Sequence, residues 1–348
     1  MQREKMRFSV LTEKGHAEVR ERKLPEIGSN QVLVRQLACN ICTTDYGQWL
    51  GLREHQGYPM AGGHEASGEV IKVGKKVDDY QVGDLVATGY NGCGHCMACR
   101  NGDVDACKSK TKTSEDGYCF SFFGFSDYCV KDAKSIYKVN PEMNPSEAGF
   151  LEPLATVLHG IKKIQIRPFE NVVIIGAGTM GLVNAQAAKA YGARVIVSEI
   201  IPKKIQTARD MGFEVIDGGT EDPVKKVMEL TQEEGADTVI IAVGNTNANQ
   251  QALEMIRELD GKILLFAAGY PAPEMDVDPN TLHYRRISLI GTFGANHKDF
   301  MESAKALSAG IVDVSKLIEP KTFCLDQIQE AFEEASKPGM YRVSVLLD

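Results

Sequence analysis

From Val172 to Leu182 the chain reads Val-Val-Ile-Ile-Gly-Ala-Gly-Thr-Met-Gly-Leu, four apolar residues followed by Gly-x-Gly-x-x-Gly and a stretch of helical spacing. This strand, tight turn and helix narrow the fold more than any other segment. In such a turn Gly176 permits the bend and Gly178 lets the backbone approach a pyrophosphate. Gly181 then lets helix and strand pack closely, and Thr179 and Met180 complete the loop. The phosphates would meet the positive end of the helix. Further apolar runs at 171–175, 194–198, 238–242, 262–266 and 288–290 are continuous rather than alternating, as expected of strands buried on both faces. Helical spacing at 181–191 and 202–211 separates them, which predicts a parallel sheet covered by helices. Glu199 closes the second of these strands, 18 residues beyond Gly181, where a carboxylate binds both ribose hydroxyls of adenosine. Its charge repels a 2′-phosphate and favours NAD over NADP, although the basic pair Lys203 and Lys204 would hold that phosphate if Glu199 turned away. Val243-Gly244, Ala267-Ala268-Gly269 and Gly291-Thr292-Phe293 follow later strand ends and are expected to line the cofactor crevice.

The other half of the chain has a different texture. At 348 residues there is room for two domains of roughly 150 residues each, and 43% hydrophobic with 25% charged residues is a globular composition. Segments 31–37 and 69–73 are rich in Val and punctuated by Gly, 75–86 carries a Val-Gly-Asp turn feeding another strand, and 87–127 loses any period. A long excursion of that kind needs an anchor. Residues 145–166 read as helical, and the chain closes with helices at 298–309 and 325–335 and a strand at 342–347. The expected division is a β-rich domain at 1–150, rejoined by 291–348, with a nucleotide-binding domain at 151–290. Thirty-nine basic against 47 acidic residues give a net charge of −8, which disfavours nonspecific binding to nucleic acid or an anionic membrane. No apolar run approaches the roughly 20 residues that span a bilayer. The first 28 residues lack the apolar core of a secretory signal, so the expected location is the cytoplasm, where thiols stay reduced.

Nine cysteines in a reducing compartment therefore need a reason other than disulfides. Cys93, Cys96, Cys99 and Cys107 form Cys-x2-Cys-x2-Cys-x7-Cys, a spacing that suits one tetrahedral zinc ion with no position left for substrate. Such a structural site is the anchor the long loop requires. His95 lies inside this knuckle and is read as solvent-facing. Elsewhere Cys42, His64-Glu65 after Gly62-Gly63, and Glu152 before Pro153 supply a thiolate, an imidazole and carboxylates. A thiolate, an imidazole and one of these carboxylates would leave a fourth coordination position open, the catalytic pattern for zinc. Adjacent residues of a regular strand face opposite ways, so His64 and Glu65 reach one metal only if the chain turns at the glycine pair.

Cys42, Gly63-His64-Glu65, the knuckle, Glu152-Pro153 and the glycine fingerprint occur in one order along one chain. That order resembles the zinc-dependent medium-chain alcohol dehydrogenase family, in its branch of sorbitol (polyol) and threonine dehydrogenases, over essentially the whole chain. The resemblance implies an α/β protein with a GroES-like catalytic domain and an inserted Rossmann domain. It implies two zinc ions per chain, the catalytic one held by Cys42 and His64 with Glu65 or Glu152 as carboxylate ligand or close neighbour. Thr44 matches the Ser or Thr beside the substrate oxygen that begins the family's proton relay. Many relatives carry a His five residues after the Cys. Here that position is Gly47, so the relay must continue by another route, such as water or His55. Relatives form dimers and tetramers, and a homodimer or homotetramer is expected.

The implied reaction is reversible oxidation of a small-molecule alcohol, a polyol first and an amino alcohol such as threonine next, with hydride passing to NAD. Two other readings differ in metal content: a noncatalytic NAD-binding sensor that keeps only the knuckle zinc, and a zinc-free reductase of activated double bonds. Trp49 and the aromatic cluster Phe120, Phe122, Phe123 and Phe125 either face the substrate or form core, and core is the commoner fate of such residues.

Overall fold

The computed structural model describes residues 4–108 and 114–347. By contacts within the chain these residues form two units, one of Met1–Ala155 with Ala295–Asp348 and one of Thr156–Gly294.

The second unit is built on a six-stranded parallel sheet in the order Glu214–Asp217, Arg194–Glu199, Asn171–Ile175, Thr238–Ile241, Lys262–Leu265, Ser288–Gly291. This is the doubly wound order of a Rossmann fold. Val173, Ile174, Ile196, Val197, Val239, Ile240, Ile263 and Leu264 have no exposed surface, which is why these segments read as unbroken apolar runs. The helices Thr179–Ala190 and Pro202–Asp210 follow the first two of these strands in the chain. The short edge strand Glu214–Asp217 is absent from the sequence reading. Its Val215 and Ile216 stand between two acids, and it pairs on one side only.

The first unit holds a two-stranded antiparallel pair, Lys5–Glu13 with His16–Lys23, and a seven-stranded sheet of GroES-like type. At the centre of the larger sheet lies Gln31–Ile41, paired antiparallel with Glu65–Val73 on one side and with Val343–Leu346 and Tyr128–Asp132 on the other. The expected helix over 145–166 is two helices, Pro145–Ala148 and Leu151–Ile164, interrupted at Gly149 and Phe150. Phe150 is wholly buried, and a Cβ at Gly149 would lie 2.6 Å from the Glu65 carbonyl oxygen, so close packing on the sheet breaks the helix there. The principal core of this unit gathers Ile41, Met60, Ala66, Phe125, Phe323, Ile328, Phe332, Val343 and Val345 from early and late parts of the chain. Among the described residues no helix is long and apolar enough to cross a membrane.

Candidate metal centre and nucleotide loop

Strand register brings the candidate ligands to one end of the larger sheet. Asn40 pairs with Glu65 on one side of the central strand, and Ile41 pairs with Val343 on the other. The residues at or just past these pairs, Cys42, His64, Glu65 and Arg342, therefore share one sheet edge. Cys42 caps the helix Thr43–Trp49, and the Thr44 N–H donates to its Sγ at 3.2 Å. The buried Asp45 carboxylate accepts from the Cys42 N–H at 3.1 Å and from the Gly63 N–H at 3.2 Å, tying the two ligand loops together. Arg342 escaped the sequence reading because its partner Glu65 is distant in sequence, and Asp45 because only the fold brings Gly63 to its carboxylate. The turn that His64 and Glu65 require occurs at Gly63, with φ +85°. A Cβ there would stand 2.8 Å from the Phe125 backbone nitrogen and 2.9 Å from Cys39 Sγ.

Cys42 Sγ and His64 Nε2 are 3.2 Å apart, and with a Glu65 carboxylate oxygen they lie within 4.8 Å of one another. Glu152, in the first turn of Leu151–Ile164, is buried and stands outside that trio, with its carboxylate accepting a hydrogen bond from the Tyr90 hydroxyl. Arg342 donates three hydrogen bonds to Glu65 at 2.7, 2.8 and 3.1 Å, and the pair is 8% and 1% exposed. Burial pushes Glu65 up to about 7 against the opposing pull of Arg342. Burial, with Asp45 and Glu65, raises the Cys42 thiol well above its ordinary range. For His64 burial acts downward, yet Asp45, Glu152 and Glu65 outweigh it and the imidazole is raised.

These residues fit a divalent cation. A buried thiol and imidazole face each other among three carboxylates with one guanidinium to offset them, so positive charge is lacking. The His64 nitrogen that faces Cys42 Sγ is Nε2, and sulfur, nitrogen and oxygen donors together suit zinc.

The knuckle cysteines are the second convergent group. The sulfurs of Cys93 and Cys99, and those of Cys96 and Cys107, are each 3.9 Å apart, and all four lie within 4.8 Å of one another. Backbone N–H groups of Cys93, Cys96 and Cys99 donate to neighbouring sulfurs at 3.3 to 3.5 Å. Backbone donors at His95 and Cys96 lower Cys93 to about 6, a thiolate ready for metal. His95 is exposed.

The aromatic cluster divides. Phe125 is core, and Phe123 packs on Phe8 and Tyr118. Trp49 stacks on Phe332 at 6.5 Å. Phe120 and Phe122 instead contact the His64 ring, with centroids 6.4 and 5.6 Å away. Thr44 is half-buried beside Cys42, while His55 is exposed.

In the nucleotide-binding unit a Cβ at Gly181 would collide with the Gly176 carbonyl oxygen, and Gly176 itself has φ +99°. Thr179 is buried, and the Met180 carbonyl accepts from Asn184 at 2.8 Å. Glu199 is buried and accepts from the N–H groups of Ala177 at 2.7 Å, Ile200 at 2.7 Å and Ile201 at 3.0 Å, which fixes its carboxylate against the glycine loop. Lys204 Nζ is 3.8 Å from where a Gly178 Cβ would be. Val243, Gly244, Ala268, Gly269, Thr292 and Phe293 all follow carboxyl ends of the parallel strands. Gly244 and Gly269 approach closely enough that a Cβ on Gly244 would lie 2.6 Å from the Gly269 nitrogen. Thr292 Oγ1 is buried without a partner, and Phe293 is exposed.

Two family models match the chain. Residues 28–141 match the alcohol dehydrogenase GroES-like domain, and residues 179–309 match the zinc-binding dehydrogenase model. An L-threonine 3-dehydrogenase of Pyrococcus horikoshii is 32% identical over 97% of each chain. A sorbitol dehydrogenase of Bacillus subtilis is 27% identical over 95% of this chain and 93% of its own. A Sinorhizobium meliloti structure, of a protein described as a zinc-binding dehydrogenase and bound to NADP, superposes with a TM-score of 0.87 at 25% identity. It covers 99% of this chain and 100% of that one. The chain belongs to the zinc-dependent medium-chain alcohol dehydrogenase family.

Proposed function

We propose that the protein reversibly oxidises a secondary alcohol by hydride transfer to NAD, with zinc held by Cys42, His64 and a carboxylate of Glu65 or Glu152, and a second zinc in the knuckle. The observation that carries this reading is the meeting of Cys42, His64 and Glu65 at one sheet edge. Bound there, zinc supplies Lewis acidity that brings an alcohol's loss of a proton into reach near neutral pH. The Thr44 hydroxyl, beside Cys42, takes that proton. Gly47 has no side chain to continue the relay, so water carries it onward. Phe120 and Phe122 flank His64 and exclude water from one side of the centre.

The backbone of the Gly176–Gly181 loop receives the pyrophosphate, and Glu199 the adenosine ribose. Three backbone donors hold the Glu199 carboxylate in place, so it meets a 2′-phosphate with unfavourable charge, and NAD is preferred. Lys204 works in the other direction and leaves NADP as the weaker cofactor. A polyol or sugar alcohol is the favoured substrate, in line with the sorbitol dehydrogenase relative. An amino alcohol such as threonine comes next, in line with the threonine dehydrogenase.

The test is a panel of polyols, amino alcohols and simple alcohols assayed for NADH absorbance. Turnover confined to vicinal diols supports the polyol reading, turnover of threonine alone replaces the substrate, and a zinc-loaded protein inert toward all of them contradicts the reaction.

A further inference from the structure

We propose that Tyr90 is a positioning residue for the Cys42–His64 centre: its hydroxyl fixes the Glu152 carboxylate, and a ladder of packed rings fixes Tyr90. The inference rests on reading that centre as a metal site. Tyr90 is the one hydrogen-bond donor to the Glu152 side chain among the described residues. Its ring meets Phe300 edge-on at 5.1 Å, Phe300 stacks on Tyr137 at 5.3 Å, and the Tyr137 hydroxyl shares a hydrogen bond with His297 Nδ1 at 2.7 Å. Phe300 is wholly buried, so the middle of the ladder cannot shift without opening a cavity.

Both ends of the ladder are tied down. The His297 N–H donates to the Gly102 carbonyl in the knuckle segment at 3.1 Å, and Ser303 Oγ donates to the Leu151 carbonyl, next to Glu152, at 2.8 Å. The helix His297–Ser308 thus holds Leu151, next to Glu152, through Ser303 and meets the Tyr90 ring through Phe300. Gly89 is part of the same arrangement, since a Cβ there would lie 2.7 Å from the Tyr137 ring and 3.1 Å from Phe300.

The two carboxylates near the centre are held very differently. Glu65 is clamped by a guanidinium through three hydrogen bonds, whereas Glu152 is held by one neutral hydroxyl. Removing that hydroxyl leaves Glu152 free to change rotamer while the ring packing stays. Partners of this kind, behind the ligands, typically contribute 10–100-fold to metal affinity.

The test replaces zinc by cobalt(II) in the full-length protein and follows its visible ligand-field spectrum and its loss to a chelator. The knuckle contributes equally to every variant compared. Tyr90→Phe is expected to alter the spectrum and to speed metal loss from the Cys42 centre by about tenfold. The pair Tyr90→Phe with Glu152→Gln should be no worse than Glu152→Gln alone, because the hydroxyl acts through that carboxylate. Tyr137→Phe, which keeps the rings but unties the far end of the ladder from His297, should change the spectrum in the same direction as Tyr90→Phe and by less. A Tyr90→Phe protein with the parent's spectrum and chelation rate overturns the proposal, as does a double variant whose two effects multiply. If Cys42→Ala loses one cobalt equivalent while Tyr90→Phe has no effect, only the role of Tyr90 falls. If Cys42→Ala retains all of its cobalt, the metal reading falls with it.

Discussion

Arg342 shows how much at the centre depends on single side chains with remote partners. Removing one member of a buried ion pair leaves the other charge uncompensated and costs about 3–5 kcal/mol. Arg342→Met is therefore expected to lower the thermal midpoint of the unit carrying Glu65 by several degrees, measured calorimetrically; an unchanged midpoint would show that the pair contributes nothing. Gly63→Ala should cost metal retention before it costs folding. A Cβ there strains the backbone that turns His64 and Glu65 toward one point. Zinc content after gel filtration checks this, and full retention contradicts it. Glu147 offers a case away from the metal, where burial, aided by Asp313, raises its carboxyl. The folded state then binds its proton more tightly than the unfolded state, so its stabilising share is complete at acid pH and lost as pH rises through the raised value. Glu147→Gln should accordingly stabilise the protein at neutral pH relative to its effect near pH 4, as read by denaturant midpoints at both. At this scale the meeting of Cys42, His64 and Glu65 was legible from their residue types and the order of the motifs. Tyr90 and Arg342 were not, because their partners are set by tertiary register; Asp45 has capping-box spacing to Cys42, but its bond to Gly63 is likewise set by the fold.

Among the elements, the strands of the parallel sheet were legible because burial on both faces leaves an unbroken apolar run. Glu214–Asp217 was missed because an edge strand need not be apolar at its ends. The break at Gly149 and Phe150 was also hidden, since it answers to packing against another strand and not to a local breaker signal. Ile174→Ala, in a central strand with no exposed side chain, should destabilise its unit by about 2–5 kcal/mol. The knuckle differs because four sulfurs within 4.8 Å of one another come from one short segment. Cys99→Ser should release one zinc equivalent and expose the segment around it to proteolysis. NAD binding should persist, and loss of NAD affinity would mean that the knuckle supports more of the protein than its own segment.

For the whole molecule, the family assignment and the order of motifs agree along nearly the full chain, and the candidate metal ligands lie in one unit and the glycine loop in the other. Glu199→Ala should therefore relax the preference for NAD over NADP without changing metal content, a result read from the ratio of kcat/KM for the two cofactors; an unaltered ratio would remove Glu199 from the ribose. The substrate stayed illegible because the aromatic side chains beside His64, Phe120 and Phe122, name no ligand chemistry. The central claim is that Cys42 holds a working metal. Metal analysis of the zinc-replete protein and of Cys42→Ala tests it most directly: the account predicts two zinc ions per chain falling to one, and equal zinc in both proteins would contradict it.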